Sequence, residues 1–128
     1  MPIKYGGSGM AAPAEGTIAL GSNVKAYSAN QTPRCVKWGK VVTVYGAVSP
    51  RSQVAAGGSL NIGTVPDGYR PIMGSIGWVC QGSGGSVWHL DIESSGAMTA
   101  SRYRNGATNI AIPTDAWLSF FVTYVTWR

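Results

Sequence analysis

Residues 117–127 read WLSFFVTYVTW, and this run decides the fold class because its apolar side chains alternate. One face of an extended strand carries Leu118, Phe120, Val122 and Tyr124. The opposite face carries Trp117, Phe121, Val125 and Trp127, interleaved with Ser119 and Thr123. A period of two is typical of β-structure, and one such face can supply the core of a sandwich. The second apolar face therefore needs a cover of its own.

Residues 41–48 (VVTVYGAV) repeat this two-sided pattern. One face carries Val42, Val44, Gly46 and Val48, and the other carries Val41, Thr43, Tyr45 and Ala47. Two explanations stay open: a central strand packed on both sides, or a face that forms a subunit interface.

Turn residues divide the rest of the chain into short segments. The strands predicted between these turns are 17–20, 24–29, 34–38, 41–48, 59–62, 72–80, 86–93, 97–103, 108–112 and 117–127. Asn105-Gly106 predicts a hairpin with a type I′ turn. Apolar residues with a helical period of 3.6 are not evident, so the spacing predicts an all-β sandwich or barrel.

Composition excludes several other classes. The chain has 128 residues, 12% of them charged, with 18 Gly and 7 Pro. That length suits one domain, and the apolar content is too high for a disordered chain. Neither a transmembrane helix nor a signal peptide is predicted. Residues 1–16, which include GGSGMAAPAEG, predict a flexible lead-in before a folded domain at 17–128.

The net charge of +5 reflects a scarcity of acids, since ten basic residues are scattered along the chain. A nucleic-acid surface usually concentrates its bases on one stripe, so no nucleic-acid partner is predicted. Cys35 and Cys80 lack the spacing of a zinc site, and neither a metal nor a cofactor is predicted. Their apolar neighbours favour two buried thiols over one disulfide.

The ordered set of segments in the second half of the chain resembles a known family. GTVPDGYRP at 63–71 is preceded by WGKVVTVYGAVSP at 38–50, and it is followed by HLDIESSGAMTA at 89–100 and by WLSFFVTYVTW. This order resembles the C-terminal receptor-binding or head domains of phage tail fibres and minor tail structural proteins, a family with a GYRP turn, over roughly residues 34 to 128.

The resemblance implies a jelly-roll-like antiparallel β-sandwich that assembles as a homotrimer at the tail tip or fibre of a virion. Such a protein is made in the host cytoplasm. It would adhere to a host surface glycan and contact other tail or fibre proteins through its N-terminal side, without inserting into a membrane.

The turn that carries much of the resemblance is predicted to be a rigid structural corner, formed by Pro66, Gly68, Tyr69, Arg70 and Pro71. Pro66 presets its own backbone angle and Gly68 can adopt a positive φ. Arg70 can donate to carbonyls of a neighbouring loop or subunit.

Residues 86–93 offer the best polar constellation. Alternation puts Trp88, Leu90 and Ile92 on one face and His89, Asp91 and Glu93 on the other. Carboxylates and imidazole can bind sugar hydroxyls, so these three are candidate glycan ligands, together with Arg102, Tyr103 and Arg104 from the following hairpin. The alternative is a solvated sheet face with cross-strand ion pairs.

The sequence thus predicts a non-enzymatic adhesion domain. A structural trimerisation or fibre-cap domain without a ligand is the alternative. A polysaccharide depolymerase is less favoured, because acids on one strand do not lie on opposite sides of a glycosidic bond. The chain also lacks the GxSxG motif of a serine hydrolase.

Overall fold

The fold consists of two antiparallel β-sheets packed face to face, as the sequence predicted. The computed structural model describes residues 12–126. Its strands are β1 (Ala14–Thr17), β2 (Ala19–Leu20), β3 (Val24–Ala26), β4 (Arg34–Trp38), β5 (Val41–Pro50), β6 (Leu60–Thr64), β7 (Ile76–Gln81), β8 (Val87–Ile92), β9 (Ala97–Asn105), β10 (Thr108–Asn109) and β11 (Leu118–Val125).

Sheet A has the strand order β1-β4-β5-β11, with β3 also pairing with β5. Sheet B has the order β2-β6-β9-β8-β7, with β10 pairing with β9. The predicted strand 17–20 is split between the sheets, since β1 belongs to sheet A and β2 to sheet B. Buried Ile18 lies between them and marks the point where the chain crosses the core.

The core lies between the two sheets. Trp88 of sheet B meets Phe120 of sheet A edge to face, with ring centroids 6.2 Å apart. One face of each central strand is buried against the other sheet: Val42, Val44 and Val48 on β5, Trp88, Leu90 and Ile92 on β8, and Leu118, Phe120, Val122 and Tyr124 on β11. Alternation identified the inner face of β8 correctly, whereas on β5 and β11 both faces are apolar and the sequence left the inner face open.

Three predicted strands begin or end three or more residues inside their predicted range. The strand predicted at 24–29 ends at Ala26, and a 3₁₀ turn at Ala29–Gln31 follows. The strand predicted at 72–80 starts only at Ile76, because Ser75 has a φ of 46°, which extended structure does not allow. The strand predicted at 108–112 ends at Asn109, and Ile112 instead exchanges backbone hydrogen bonds with Val54.

The hairpin between β9 and β10 differs from the predicted type I′ turn. Thr108 pairs with Asn105, so the two turn residues are Gly106 and Ala107. Gly106 has a φ of 62°, whereas Ala107 does not have a positive φ. A type I′ turn needs a positive φ at both positions, and this pattern fits type II′.

The boundary of the predicted lead-in also shifts, because β1 already begins at Ala14. Residues 1–11 of that segment, and Trp127 at the end of the predicted last strand, lie outside the described residues.

The turn at residues 66–71 closes on itself and on sheet B. Tyr69 N donates to Pro66 O at 3.2 Å, and Gly68 has a φ of 90°. Arg70 Nε donates to Val65 O at 2.9 Å. A Cβ on Gly96 would come within 2.6 Å of Arg70 Nε, so a glycine is needed where the turn packs beside β9.

Sheet A holds the same turn from the other side. Lys37 Nζ donates to Gly68 O at 2.6 Å and lies 4.9 Å from the centre of the Tyr69 ring. The Tyr124 hydroxyl donates to Tyr69 O at 2.5 Å. These contacts tie both sheets to one corner of the sandwich.

The two cysteines are free thiols, Cys35 buried and Cys80 half-buried. Burial raises the pKa of each thiol to about 11, so both are protonated at neutral pH.

In the described part of the chain, no helix has the length and apolar character to span a membrane.

Replacing Tyr124 by Phe removes the hydroxyl that satisfies Tyr69 O. We expect Tyr124→Phe to lower the free energy of unfolding by about 0.5–1.5 kcal/mol, the net contribution of one hydrogen bond, because this one is part-buried. Urea denaturation of the purified domain measures this loss. Tyr27→Phe is the control, because Tyr27 is 44% exposed. Equal losses in the two variants would contradict the role given to the Tyr124 hydroxyl.

Candidate polar site on sheet B

The outer face of sheet B carries the predicted polar row. His89 and Asp91 of β8 are partly exposed, whereas their neighbours Trp88, Leu90 and Ile92 are buried. Glu93 lies one residue beyond β8 and is exposed in the turn to β9, where its N–H donates to Ala97 O at 3.0 Å. The structure therefore keeps His89 and Asp91 together on the sheet and places Glu93 at its end.

Neighbouring strands surround this pair with small or polar side chains. On β9, Ser101 lies opposite His89 and Thr99 lies opposite Asp91. On β7, Val79 lies opposite His89 and Gly77 lies opposite Asp91. A Cβ on Gly77 would be 2.7 Å from Asp91 Oδ1. The absence of a side chain at Gly77 thus lets the Asp91 carboxylate extend over β7. The sequence analysis did not predict this role of Gly77.

A β-bulge in β9 determines which residues of the second strand reach the site. Val87 pairs with Arg104 and His89 pairs with Ser101, so two steps on β8 face three steps on β9. The bulge includes Arg102, whose φ is 54°. This left-handed conformation is uncommon for a residue other than glycine.

The bulge excludes Tyr103 from the site, which corrects the prediction that its ring would serve a glycan there. One extra residue turns Tyr103 toward the core, where it is only 5% exposed. Its hydroxyl lies 3.3 Å from Ser83 Oγ. Arg102 stays exposed and Arg104 is half-buried, and Arg104 Nη1 donates to Arg102 O at 3.2 Å.

These charges act on His89. Its pKa is lowered, first because partial burial disfavours the charged imidazolium and then because Arg104 and Arg102 repel it. Asp91 acts in the opposite direction and raises the pKa. His89 is therefore neutral at pH 7, with one ring nitrogen that donates and one that accepts. Asp91 adds a carboxylate acceptor, and Arg104 adds a donor.

A groove of about 320 Å³ lies beside this row, between the edges of β7 and β11. Its lining includes Trp78, Gln81, Ser119 and Phe121. Ser119 Oγ donates to Gln81 O at 3.2 Å across the groove. The sequence analysis did not predict this groove, because its walls come from strands of two different sheets. The apolar character of both faces of β11 was the only hint of it in the sequence.

The outer face of sheet A has the opposite character. We call Trp38, Val41, Tyr45, Phe121 and Val125 the sheet A patch. These residues are neighbours on β4, β5 and β11, since Phe121 pairs with Tyr45, and Val41 pairs with both Val125 and Trp38. Phe121 is 77% exposed. Of the two explanations for the two-sided strands, burial against another part of residues 12–126 does not apply to this patch.

Residues 12–126 contain no group of three or more His, Cys, Asp or Glu side chains that could hold a metal ion. The polar row is suited to hydrogen bonding.

Comparison with known proteins finds a similar fold without a sequence relative. Neither a protein-family model nor a curated protein matches the chain. The crystal structure of the head domain of phage bIL170, described in connection with the receptor-binding domains of lactococcal phages, is similar with a TM-score of 0.66. The match covers 90% of this chain and 99% of that one, at 16% sequence identity. This likeness shows the fold.

His89 is the single histidine of the chain, so its NMR titration can be assigned without ambiguity. We expect Arg104→Gln to raise the pKa of His89 by removing a repelling charge. Asp91→Asn should lower that pKa further by removing the attracting one. Proton NMR of the imidazole across the acidic pH range measures both shifts, and Lys25→Gln on sheet A is the control. Shifts of the reverse sign would contradict the arrangement.

Proposed function

We propose that this domain is the receptor-binding head of a phage tail and attaches the virion to carbohydrate on the host surface. The observation that carries the proposal is the likeness of the whole fold to the head domain of phage bIL170, which was described with receptor-binding domains. The exposed row of hydrogen-bonding side chains on sheet B supports it, because such a surface suits a polar ligand.

The chemistry of the row matches that of a saccharide. The Asp91 carboxylate accepts hydrogen bonds from two adjacent hydroxyls, neutral His89 accepts one and donates one, and Arg104 donates to ring or hydroxyl oxygens. Arg102 extends the donor set at the bulge, and Glu93 extends the acceptor set at the end of β8. With Tyr103 in the core, an aromatic contact to a sugar would come from another residue, and Trp78 lines the adjacent groove.

We further propose that the domain works as a homotrimer whose subunits meet through the sheet A patch. An exposed patch of large apolar side chains is typical of a protein–protein interface. Binding at each saccharide site is weak, and linked copies raise the overall affinity by about 10²–10⁴.

The first described residues and the end of β11 lie at the same end of the sandwich, because Ala14 pairs with Lys37, and Val41 pairs with both Trp38 and Val125. This end would attach to other tail or fibre proteins in the virion.

A structural trimerisation or cap domain without a ligand is the second candidate, and the sheet A patch favours it. Catalysis is not part of the proposal. Asp91 lies on the outer face of β8 and Glu93 lies just beyond the end of that strand, so both acids come from one short stretch of chain, whereas the carboxylates of a glycosidase flank the glycosidic bond.

The adhesion proposal predicts that the polar row is needed for binding. We expect His89→Ala and Asp91→Ala each to weaken binding to an array of bacterial cell-wall polysaccharides by about tenfold or more, since each removes hydrogen bonds worth about 1–3 kcal/mol. Lys25→Ala, on the other sheet, should leave binding unchanged. Unchanged binding in both site variants, with the oligomer intact, would support the cap domain instead. Release of reducing ends from the polysaccharides would indicate a depolymerase.

The trimer proposal predicts that one charge on the sheet A patch separates the subunits. We expect Phe121→Glu to change the mass measured by light scattering from three chains to one, because an unpaired charge is costly in a buried interface. Val79→Glu is the matched control, since Val79 is 62% exposed on the outer face of sheet B. A wild-type mass of one chain, 13.4 kDa, would refute the trimer.

A further inference from the structure

The hairpin tip next to the polar site combines a reactive sequence with free access to solvent. Residues 105–109 are all exposed, the longest exposed run within residues 12–126. Asn105 ends β9 and is followed by Gly106, the first residue of the turn. Gly106 has a φ of 62°, and a Cβ built on it meets no atom within 4 Å. The tip of the hairpin at Gly106 is therefore open to solvent.

We propose that Asn105 is a site of spontaneous deamidation through a cyclic imide. The backbone nitrogen of Gly106 attacks Cγ of Asn105, forming a new C–N bond, and the side-chain amide leaves as ammonia with the proton that the nitrogen gives up. One water molecule then adds to either imide carbonyl and opens the ring. The products are aspartate, or isoaspartate with the main chain rerouted through the side chain. Water is the only co-reactant, and neither electron transfer nor a cofactor is involved.

The local structure favours ring closure at Asn105. Cyclisation requires the chain to leave its extended conformation, and this hairpin opens at little cost because β10 has two residues and pairs with β9. Glycine has no side chain to obstruct the attack, and its φ and ψ adapt readily.

The remaining asparagines differ in a way that can be compared directly. Asn23, Asn30, Asn61 and Asn109 are followed by Val24, Gln31, Ile62 and Ile110, whose side chains shield the attacking nitrogen. Asn23 Oδ1 is also held by the Ser52 N–H and hydroxyl at 2.9 and 2.7 Å. Asn109 lies in the same exposed hairpin as Asn105, so it is a matched internal control.

The reaction would change the charge of the polar site. Arg104, which precedes Asn105, pairs with Val87 of β8 and Asn109 of β10. A carboxylate at position 105 adds a negative charge one residue from Arg104, and isoaspartate adds a main-chain atom at the Thr108 pairing next to Arg104. This consequence rests on the proposed function, whereas the reaction does not. We expect conversion to weaken saccharide binding by about two- to fivefold, the range that one exposed ion pair is worth.

Peptide mapping by mass spectrometry tests the reaction. Wild-type protein is kept in warm, mildly alkaline buffer and sampled over time. We expect Asn105 to gain the mass that replaces NH₂ by OH, in two chromatographically distinct products, while Asn109 keeps its amide. The Asn105→Gln variant should gain no such mass at position 105. An unmodified Asn105, or one converted no faster than Asn109, would overturn the proposal.

The imidazole of His89 reports the change of charge without any glycan. We expect Asn105→Asp, and the converted wild-type protein, to raise the pKa of His89 relative to Asn105→Gln; an unchanged pKa would overturn the claim that the reaction acts on the site. Saccharide binding is then compared for the same three samples. If fresh wild-type protein binds no saccharide, the proposed function fails, and mass spectrometry and NMR still decide this inference.

Discussion

Trp88 is the anchor on which the placement of the candidate site depends. Its ring is fully buried and nearly perpendicular to that of Phe120, and its Nε1 donates to Gln81 O at 2.9 Å on the adjacent strand. Removing a buried Trp ring typically costs about 3–5 kcal/mol. A register of β8 that exposed Trp88 would therefore lose a large part of the free energy of unfolding of a small domain. Because side chains alternate along a strand, an inward Trp88 requires His89 and Asp91 to face solvent.

The same alternation explains how much could be predicted from the sequence. On β8 apolar and polar residues alternate regularly enough to identify both the inner face and the polar outer face, whereas β5 and β11 are apolar on both faces and their inner side could not be chosen from the sequence. The prediction for β9 was wrong at Tyr103, because a bulge depends on how two strands are paired and leaves no local sequence signal at Arg102. The role of Gly77 beside Asp91 was missed for a similar reason, since it depends on cross-strand register.

The two outer faces of the sandwich differ in chemistry, and this difference orders the functional proposals. Sheet A exposes Phe121 and its apolar neighbours, which lose nothing by being covered. Sheet B exposes His89, Asp91 and two arginines, which bind through oriented hydrogen bonds. An adhesion domain that acts through several weak sites needs both kinds of surface, one to assemble the copies and one to meet the ligand. A cap domain would need the first only, which is why the polar row distinguishes the two candidates.

Edge strands add a constraint on how the sandwich can assemble. β7 and β11 are the edges of their sheets, and exposed edges invite pairing with other chains. The gap between β7 and β11 is closed at both ends by isolated β-bridges. Gly82 bridges Leu118 at one end, and Pro71 bridges Thr126 at the other. The corner held by Tyr124 and Lys37 supplies the second closure, because it positions Pro71 beside β11. The turn at 66–71 thus limits edge-to-edge pairing along β7 and β11, and the association proposed for the sheet A patch does not depend on these two edges.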